Sequence, residues 1–367
     1  MTASAANTGL NGSILIVKTS SLGDVVHMMP ALADVRRAHP QAHIAWLVDE
    51  MYAPLVRMVP AIDEVVEVSW RRWRRGLHAA GAWRELHRFG VRLRRRRYDV
   101  IVDTQGLVHS GMMARLARGV RHGYDAKSAR EPLAAALYDV CHDVSRALPA
   151  VVRNRRLAGL ALGHAVPEEL HYGLKPAWQL PTRGTPYALL VHATAQPRKA
   201  WPEAAWCRLG ERLAERGIRA VIPAGSEAER ARSVAIAEAV PHALALPIHS
   251  LERTVDLIMG ASLVVGVDTG LVHLAAALGV PTVAVFVASD PALTAPIGQG
   301  PIAVAGSKDR PAAEDEVMAA VEGLLAAPIS TSPVKLGHDG AKHFVDCDGP
   351  YGAPGRVGAR RPGGRNP

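Results

Sequence analysis

Three loops of this chain combine carboxylates, cations, hydroxyls and glycines in patterns that could bind an anion and move a proton. The first, KTSSLGDVVH at 18–27, follows a short apolar run and opens a helical pattern. Backbone N–H groups of a Ser/Gly loop at a helix N-terminus form an anion site. The carboxylate of Asp24 either caps this helix or projects into a cleft as a base, and the local pattern leaves both interpretations open.

The second loop, HATAQPRKAWP at 192–202, offers a hydroxyl and a cation after another apolar run. Thr194 carries the hydroxyl, and Lys199 stands just before a Trp-Pro helix start, where its charge suits a phosphate. A lysine in a surface loop is common, so this pattern is weak when taken alone. It predicts an anion-binding loop at the position in the second half that the first loop has in the first.

The third stretch, VGVDTGLVHLAAALGVPTVAVF at 265–286, has the most specific pattern. A buried strand pattern ends in Asp268, Thr269 and Gly270, and a helix pattern then carries His273 on its first turn. The N–H groups at the helix start, with Gly270 allowing close backbone approach, form a cradle for a diphosphate. Asp268 would repel a diphosphate unless it holds ribose, a metal ion or a nearby cation; otherwise it caps the helix. His273 binds phosphate or packs against the strand.

Alternating strand and helix patterns must position these loops. Continuous β-branched runs separated by helices are typical of parallel sheets covered on both faces. The pattern restarts after the Pro/Gly-rich segment 174–187, so we predict an α/β fold of two Rossmann-like domains, whose parallel sheets face a central cleft. The predicted strands are 13–18, 43–49, 65–70, 98–106, 188–194, 218–225, 244–249, 262–270 and 282–288, and the predicted helices include 25–38, 201–217 and 313–327.

The predicted domains are residues 1–175 and 176–328. Residues 329–367 are rich in Gly, Pro and Arg and have no hydrophobic periodicity, so we expect a disordered tail. A chain of 367 residues is too long for one compact core, and its 49% hydrophobic and 21% charged residues exclude general disorder.

The net charge of +9 lies entirely in the first half of the chain. Residues 1–180 contain 25 Lys and Arg against 16 Asp and Glu, whereas the rest contains 18 of each. The excess is densest at 71–97, where eleven arginines face the single acid Glu85. Such a field predicts a polyanionic partner, either nucleic acid, an anionic membrane surface or a substrate with several phosphates or carboxylates. The alternative is a solvated helix face.

Composition also bears on the compartment and on the class of partner. The cysteines, Cys141, Cys207 and Cys347, are odd in number and far apart, so they form neither a disulfide framework nor a metal-binding pair. No apolar run approaches the roughly 20 residues of a membrane span, and the N-terminus lacks the pattern of a signal peptide. We therefore expect a cytosolic protein. An aromatic content of 5% argues against a nucleic-acid binder built on stacking.

Several stretches together resemble the lipopolysaccharide heptosyltransferases of Gram-negative bacteria, and among them the type I enzymes. The likeness runs from about residue 14 to 300 and is carried by ILIVKTSSLGDVVHMMPAL, SWRRWRR, YDVIVDTQGLVHSG, SAREPLA, HAT…KAWP and VDTGLVHLAAALGVPTV. The resemblance implies a glycosyltransferase-B fold, an ADP-heptose donor and, as acceptor, the inner Kdo of Kdo2-lipid A. This acceptor is a multiply anionic amphiphile at the cytoplasmic face of the inner membrane, which would account for the arginine excess.

The resemblance also implies roles for individual residues. Asp24 matches the catalytic base, and Lys199 matches a group that stabilises charge on the leaving diphosphate. Glu227 falls near the ribose-binding acid, with Glu229 as the alternative register. The remaining donor-binding positions are Thr194, Ala195, His249, Asp268, Thr269, Gly270 and His273, and the acceptor-binding positions are Arg71, Arg72, Arg74, Arg75 and Arg130.

The chain also departs from the family pattern, and alternatives to this function remain. Ala195 stands where the family usually has a second threonine, and His249 stands near the adenine where the family is usually apolar. We expect no required metal or cofactor, no nucleic-acid partner, a monomer, and a peripheral position on the inner membrane. The alternatives are a heptosyltransferase acting on a later heptose acceptor and a non-catalytic, nucleotide-dependent binder of anionic polymers.

Overall fold

The structure is a computed structural model that describes residues 10–75, 80–174 and 185–326. Its first half contains six strands: β1 (Ser13–Val17), β2 (His43–Asp49), β3 (Glu64–Val68), β4 (Arg97–Asp103), β5 (Arg118–Tyr124) and β6 (Val140–His142). The helices of this half are α1 (Leu22–Val26), α2 (Met29–Ala38), α3 (Ala53–Arg57), α4 (Trp70–Arg75), α5 (Ala80–Arg94), α6 (Val108–Leu116) and α7 (Ala150–Leu162), with a 3-10 turn at Pro132–Leu137.

The second half repeats this plan. Its strands are β7 (Tyr187–Val191), β8 (Arg219–Ile222), β9 (Leu244–Ala245), β10 (Leu263–Val267), β11 (Thr282–Val285) and β12 (Ile302–Ala305). Its helices are α8 (Glu203–Glu215), α9 (Glu227–Ala239), α10 (Leu251–Met259), α11 (Gly270–Ala277), α12 (Pro291–Thr294) and α13 (Glu314–Ala326), with a 3-10 turn at Pro197–Lys199.

Each half has one parallel six-stranded sheet. The strand orders are β3-β2-β1-β4-β5-β6 and β12-β11-β10-β7-β8-β9, and every neighbouring pair is parallel. Both orders reverse direction at a central pair, β1 with β4 and β7 with β10, which is the Rossmann arrangement. In each sheet the crevice at the carboxyl ends of this central pair is where such folds bind ligands.

The central strands are continuous apolar runs because helices cover both of their faces. Ile14, Leu15, Ile16 and Val17 of β1 are all fully buried, as are the five residues of β10. Burial of such side chains contributes roughly 1.5–3 kcal/mol each. This packing holds the central strands in place, so the loops that follow them are anchored at their first residues.

The two halves pack directly against each other through α1 and α11. A Cβ built on Gly270, the first residue of α11, would lie 2.6 Å from the Leu22 Cβ atom and 2.9 Å from the Gly23 backbone nitrogen in α1. The Tyr172 hydroxyl also donates a hydrogen bond to the carbonyl of Ile297. The amino-terminal ends of two helices, one from each half, therefore meet in the cleft.

The predicted α/β fold of two parallel-sheet domains is confirmed, and each predicted strand overlaps an observed one. The predicted single helix 25–38 is wrong, because the chain forms α1 and then α2. Pro30 occupies the first turn of α2 and has no N–H with which to continue a helix from α1. The predicted linker 174–187 lies mostly outside the described residues, and the predicted tail 329–367 lies wholly outside them.

Candidate active site

Four loops at the carboxyl ends of the central strands form the candidate site. They follow β1 and β4 in the first half and β7 and β10 in the second. The three loops identified in the sequence leave β1, β7 and β10, and the fourth leaves β4. Because α1 and α11 begin in the first and the last of these loops and touch, the site spans both halves of the molecule.

Asp24 lies in the first turn of α1, where its carboxylate both caps the helix and faces the cleft. Its Oδ2 atom accepts a hydrogen bond from the Ser21 backbone N–H at 3.1 Å, which caps the helix. The same carboxylate also faces two cations: Arg130 Nη1 lies 3.3 Å from Oδ2, and Lys18 Nζ lies 3.9 Å from Oδ1. The side chain is 20% exposed, so it can still be reached from the cleft.

The surroundings of Asp24 keep its carboxylate ionised. Burial alone would raise the pKa of Asp24, but the charges of Lys18 and Arg130, with the hydrogen bond from the Ser21 N–H, outweigh this effect and hold the pKa below its usual value. Burial lowers the pKa of Lys18, against the attraction of Asp24. The Lys18 ammonium also donates to the Thr104 carbonyl at 2.8 Å, so its position is fixed from the β4 side.

The loop after β4 forms hydrogen bonds with the loop of Asp24. This fourth loop was not among those predicted from the sequence. Gln105 Oε1 accepts hydrogen bonds from the backbone N–H groups of Thr19 at 3.2 Å and Ser20 at 3.5 Å. The fully buried carboxylate of Asp103 in turn accepts from the Gln105 backbone N–H at 2.8 Å. The DTQG stretch at the end of a strand pattern was the available signal, because polar residues there meet the neighbouring strand's loop.

Lys199 and Asp268 form an ion pair in the second half. Lys199 Nζ lies 2.6 Å from Asp268 Oδ2, and the hydroxyls of Ser289 and Thr294 donate to the same oxygen at 2.7 and 3.3 Å. Burial would raise the pKa of Asp268, but bonds from His273, Lys199 and Ser289 lower it far below its usual range. Of the partners that the sequence allowed for Asp268, the described residues supply the nearby cation.

A histidine pair joins the two halves. His27 Nε2 at the end of α1 lies 3.1 Å from His273 Nδ1 in α11, and the two rings pack edge to face with centroids 4.4 Å apart. His273 Nε2 lies 3.5 Å from Asp268 Oδ1. The sequence placed His273 in the site but not His27, since nothing in the sequence relates two histidines that are 246 positions apart.

The α11 end of the site can bind an anion. Thr269 is the N-cap residue of α11, and its Oγ1 atom is buried with no hydrogen-bond partner among the residues described. In the loop after β7, Thr194 Oγ1 accepts from the Gln196 backbone N–H at 3.3 Å, and Ala195 is exposed. An unpaired hydroxyl beside the first N–H groups of a helix and the Lys199 ammonium is a suitable arrangement for phosphate oxygens.

Two acidic candidates on α9 differ in their availability. The Glu227 side chain is 81% exposed, with Arg230 Nη1 3.7 Å away. Glu229 instead folds back, and its Oε2 accepts from the Gly225 backbone N–H at 2.8 Å. Glu227 is therefore the freer of the two for a ligand.

His249, the remaining donor-site candidate, donates through Nδ1 to the Pro247 carbonyl at 2.7 Å, and its Nε2 is buried without a partner in the described part of the chain.

The basic candidates around α4 are not equivalent. Trp73 is buried and the arginines of the helix are exposed. Arg71 donates to the Tyr52 hydroxyl at 3.1 Å. Arg72 is paired with Glu50 at 3.2 Å and with Glu85 at 2.9 Å, so the expectation of unopposed arginines is wrong at this residue. Arg74 and Arg75 have no ion pair with any described residue.

Residues 10–75, 80–174 and 185–326 contain no group of three or more His, Cys, Asp or Glu side chains placed to hold a metal ion. Within the same ranges, no helix is long and apolar enough to cross a membrane.

Comparison with known proteins relates this chain to one family. The family model described as glycosyltransferase family 9 (heptosyltransferase) matches residues 86–324. The chain is 40% identical over 290 residues to lipopolysaccharide heptosyltransferase 1 of Escherichia coli O18:K1:H7, covering 78% of this chain and 89% of that protein. It is 41% identical over 296 residues to the Pseudomonas aeruginosa protein of the same name, covering 79% and 82%.

Solved structures give the same relationship. The E. coli heptosyltransferase WaaC with ADP superposes with a TM-score of 0.79 at 37% identity, covering 85% of this chain and 99% of that one. The same enzyme with ADP-2-deoxy-2-fluoro heptose gives a TM-score of 0.75 at the same identity and coverage.

Proposed function

This chain belongs to glycosyltransferase family 9, the heptosyltransferases, and from that premise we propose that it transfers heptose from ADP-heptose to the inner Kdo of Kdo2-lipid A. One observation carries the proposal: an ionised carboxylate in one half lies at the same cleft as a lysine–aspartate ion pair beside a helix start in the other half. Asp24 and the Lys199–Asp268 pair are connected through the contact of His27 with His273. This arrangement fits a reaction that joins two substrates, each bound to one half.

The second half is the proposed donor site. Lys199, the free hydroxyl of Thr269 and the N–H groups at the start of α11 would bind the diphosphate of ADP-heptose. The related WaaC enzyme has been solved with ADP and with a fluorinated ADP-heptose, both at 37% identity to this chain. The exposed Glu227 is the proposed ribose ligand, with Thr194, Ala195 and His249 lining the remaining donor surface.

Asp24 is the proposed catalytic base. Its carboxylate would accept the proton of the Kdo hydroxyl as that oxygen attacks the anomeric carbon of heptose and ADP leaves with inversion. A carboxylate with a lowered pKa is a weak base in the ground state, so proton transfer would occur as the hydroxyl oxygen bonds to carbon and becomes acidic. Lys199 would stabilise the negative charge that develops on the leaving diphosphate.

The first half is the proposed acceptor site. Arg130, next to Asp24, and the exposed Arg71, Arg74 and Arg75 on α4 would bind the carboxylates and phosphates of the acceptor, while Arg72 is held by Glu50 and Glu85. The Pro132–Leu137 turn, which follows Arg130, exposes 77% of Leu133. Exposed cations beside an apolar side chain suit an anionic lipid surface. We place the protein as a monomer on the cytoplasmic face of the inner membrane.

The test is ADP release from ADP-heptose with three acceptor conditions: Kdo2-lipid A, heptosylated Kdo2-lipid A and no acceptor. Release that requires Kdo2-lipid A supports the proposal, and an unchanged rate in a chelator supports a reaction without metal. Release only with the heptosylated acceptor would assign the chain to a later transfer. Binding of ADP with no release under any condition would contradict the proposal and favour a non-catalytic binder.

A further inference from the structure

We propose that His27 is a positioning residue that holds the two halves in the arrangement required for transfer, through its hydrogen bond to His273. This inference rests on the proposed function, because it concerns how the base and the donor site are aligned. His27 follows α1 directly and is three residues beyond Asp24, whereas His273 is in the first turn of α11. The bond therefore joins the helix of the base to the helix of the donor loop.

The geometry shows a directed hydrogen bond rather than a chance contact. The Nε2 atom of His27 and the Nδ1 atom of His273 are 3.1 Å apart. His273 Nε2 faces the Asp268 carboxylate at 3.5 Å, and a carboxylate can only accept. The His273 proton is therefore on Nε2, its Nδ1 accepts, and His27 is the donor. The chain His27, His273, Asp268 and Lys199 runs without a break from α1 to the donor cation.

The surroundings of His27 keep it neutral and in place. Burial, with the adjacent His273, lowers the pKa of His27 to about 3, against the opposing attraction of Asp24 and Asp268. Its backbone carbonyl accepts a hydrogen bond from Asn154 Nδ2 in α7 at 2.9 Å. A neutral imidazole offers one donor and one acceptor, so the bond to His273 uses the donor that the ring has.

Glycines on both helices make this contact possible. A Cβ on Gly23 would lie 3.3 Å from His273 Cδ2, and a Cβ on Gly270 would overlap Leu22. A side chain at Gly270 would force α1 and α11 to move apart, and one at Gly23 would press against the His273 ring. The two glycines therefore allow the close approach of α1 to α11 that the hydrogen bond between the two histidines requires.

A fixed approach of the two helices matters for the rate of transfer. The attacking hydroxyl, its base and the anomeric carbon must be aligned, and a misplacement of about 1 Å can lower a rate by about a hundredfold. In each half the loop is held by its own sheet, but only contacts across the cleft set one loop relative to the other. His27 makes such a contact, and its partner His273 faces, at 3.5 Å, the carboxylate that holds Lys199.

The experiment compares His27→Leu, which keeps the volume and removes the donor, with His27→Gln, which keeps a side-chain N–H donor. His122→Gln is the matched control, because His122 also contacts a histidine, His142 at 3.0 Å, but on strands β5 and β6 away from the cleft. We would measure kcat, KM for both substrates, ADP affinity, the melting temperature, and amide hydrogen exchange in α1 and α11.

We expect His27→Leu to lower kcat about tenfold or more with ADP affinity nearly unchanged, and to increase hydrogen exchange in α1 and α11. His27→Gln should recover most of kcat and of the protection, and His122→Gln should match the wild type. Wild-type kcat and exchange in folded His27→Leu would overturn the inference. So would a His27→Gln variant that is as impaired as His27→Leu at a normal melting temperature. The exchange measurement needs no acceptor, so it tests the contact even where the wild type releases no ADP.

Discussion

At the scale of residues, the two carboxylates of the cleft have one feature in common, since each faces a cation that is remote in sequence. Asp24 faces Arg130 across 106 positions, and Asp268 faces Lys199 across 69. The sequence predicted the identity of all four residues as site residues, but it left Asp24 and Asp268 between capping and function. In the structure Asp24 caps the helix and also faces the cleft, because its Oδ2 atom accepts from the Ser21 N–H and lies near Arg130.

Lys199→Ala should impair use of the donor. It removes the cation proposed to hold the diphosphate and leaves the buried Asp268 without its main counter-charge. We expect KM for ADP-heptose to rise and kcat/KM for it to fall by about a hundredfold. Steady-state kinetics with varied ADP-heptose measures this, with the exposed neighbour Arg198→Ala as control. Equal donor kinetics in wild type and Lys199→Ala would show that Lys199 does not contribute to binding or use of the donor.

Arg130→Gln should change the pH dependence of the reaction. Arg130 helps to lower the pKa of Asp24, so its removal raises that pKa toward the ordinary value. The base is active when ionised, and activity is therefore lost as pH falls through its pKa. We expect the acidic limb of kcat/KM for the acceptor to move to higher pH in Arg130→Gln and to stay in place in Arg130→Lys. If the acidic limb is identical in Arg130→Gln and the wild type, the charge of Arg130 does not lower the pKa of Asp24.

At the scale of elements, the sequence predicted the strands of the sheet centres and missed three others, β5 and the edge strands β6 and β12. The runs of β1, β2, β10 and β11 are continuous and apolar, so their positions were clear. The sequence RGVRHGY of β5 contains two arginines and two glycines, and the outermost strand β12 was also missed. Such strands form because the neighbouring strand supplies hydrogen bonds, a contribution that local patterns do not contain.

Gly270→Ala should separate the two helices that meet in the cleft. The added Cβ would lie 2.6 Å from the Leu22 Cβ atom and 2.9 Å from the Gly23 nitrogen, closer than any atoms pack. We expect a fall in kcat of about tenfold or more, measured as ADP release under saturating substrates. The control is Gly323→Ala in α13, where a Cβ meets nothing within 4 Å. That variant should keep full activity and gain about 0.5–1 kcal/mol in free energy of unfolding.

Retention of wild-type kcat in Gly270→Ala would show that close contact of α1 and α11 is not needed for transfer. An activity loss of the same size in Gly323→Ala would show that the assay reports a general effect of the substitutions.

At the scale of the whole molecule, the carboxyl ends of the central strands of two similar sheets face one cleft. The net charge is distributed unequally between the two halves of the chain. The first half contains the excess of arginine and the proposed base, while the second half contains the proposed donor cation and is neutral in sum. The sequence predicted this division but overstated the free charge. Arg72 and Arg96 meet glutamates from outside the 71–97 stretch, Arg72 at Glu50 and Arg96 at Glu64, and folding alone brings those acids close.

Stability should fall on mild acidification because histidines are buried in neutral form. Burial lowers the pKa of His192 to about 4, whereas in the unfolded chain the ring has the ordinary pKa of 6.5. Between these values the unfolded state binds a proton and the folded state does not, so stability decreases as pH falls from 6.5 toward 4. At pH 5 this group should reduce the free energy of unfolding by about 2 kcal/mol relative to pH 7.

Urea unfolding at the two pH values, in wild type and in His192→Gln, measures this contribution. Glutamine can still bond the Ser233 hydroxyl, which His192 contacts at 2.8 Å, but it does not titrate. The variant should lose less stability than the wild type between pH 7 and pH 5. The same loss in both proteins would show that protonation of His192 does not cause the decrease in stability.

We propose that Asp24, from the first half, is the base for a transfer whose donor is bound by the second half. The most direct test of this proposal is Asp24→Asn, with heptose transfer to Kdo2-lipid A and ADP affinity measured on the same preparation. The amide keeps the size of the side chain and an oxygen that can accept from the Ser21 N–H, but it cannot take a proton at neutral pH. We predict a loss of transfer of about a hundredfold or more with ADP affinity nearly unchanged. Transfer at the wild-type rate by Asp24→Asn would contradict the claim.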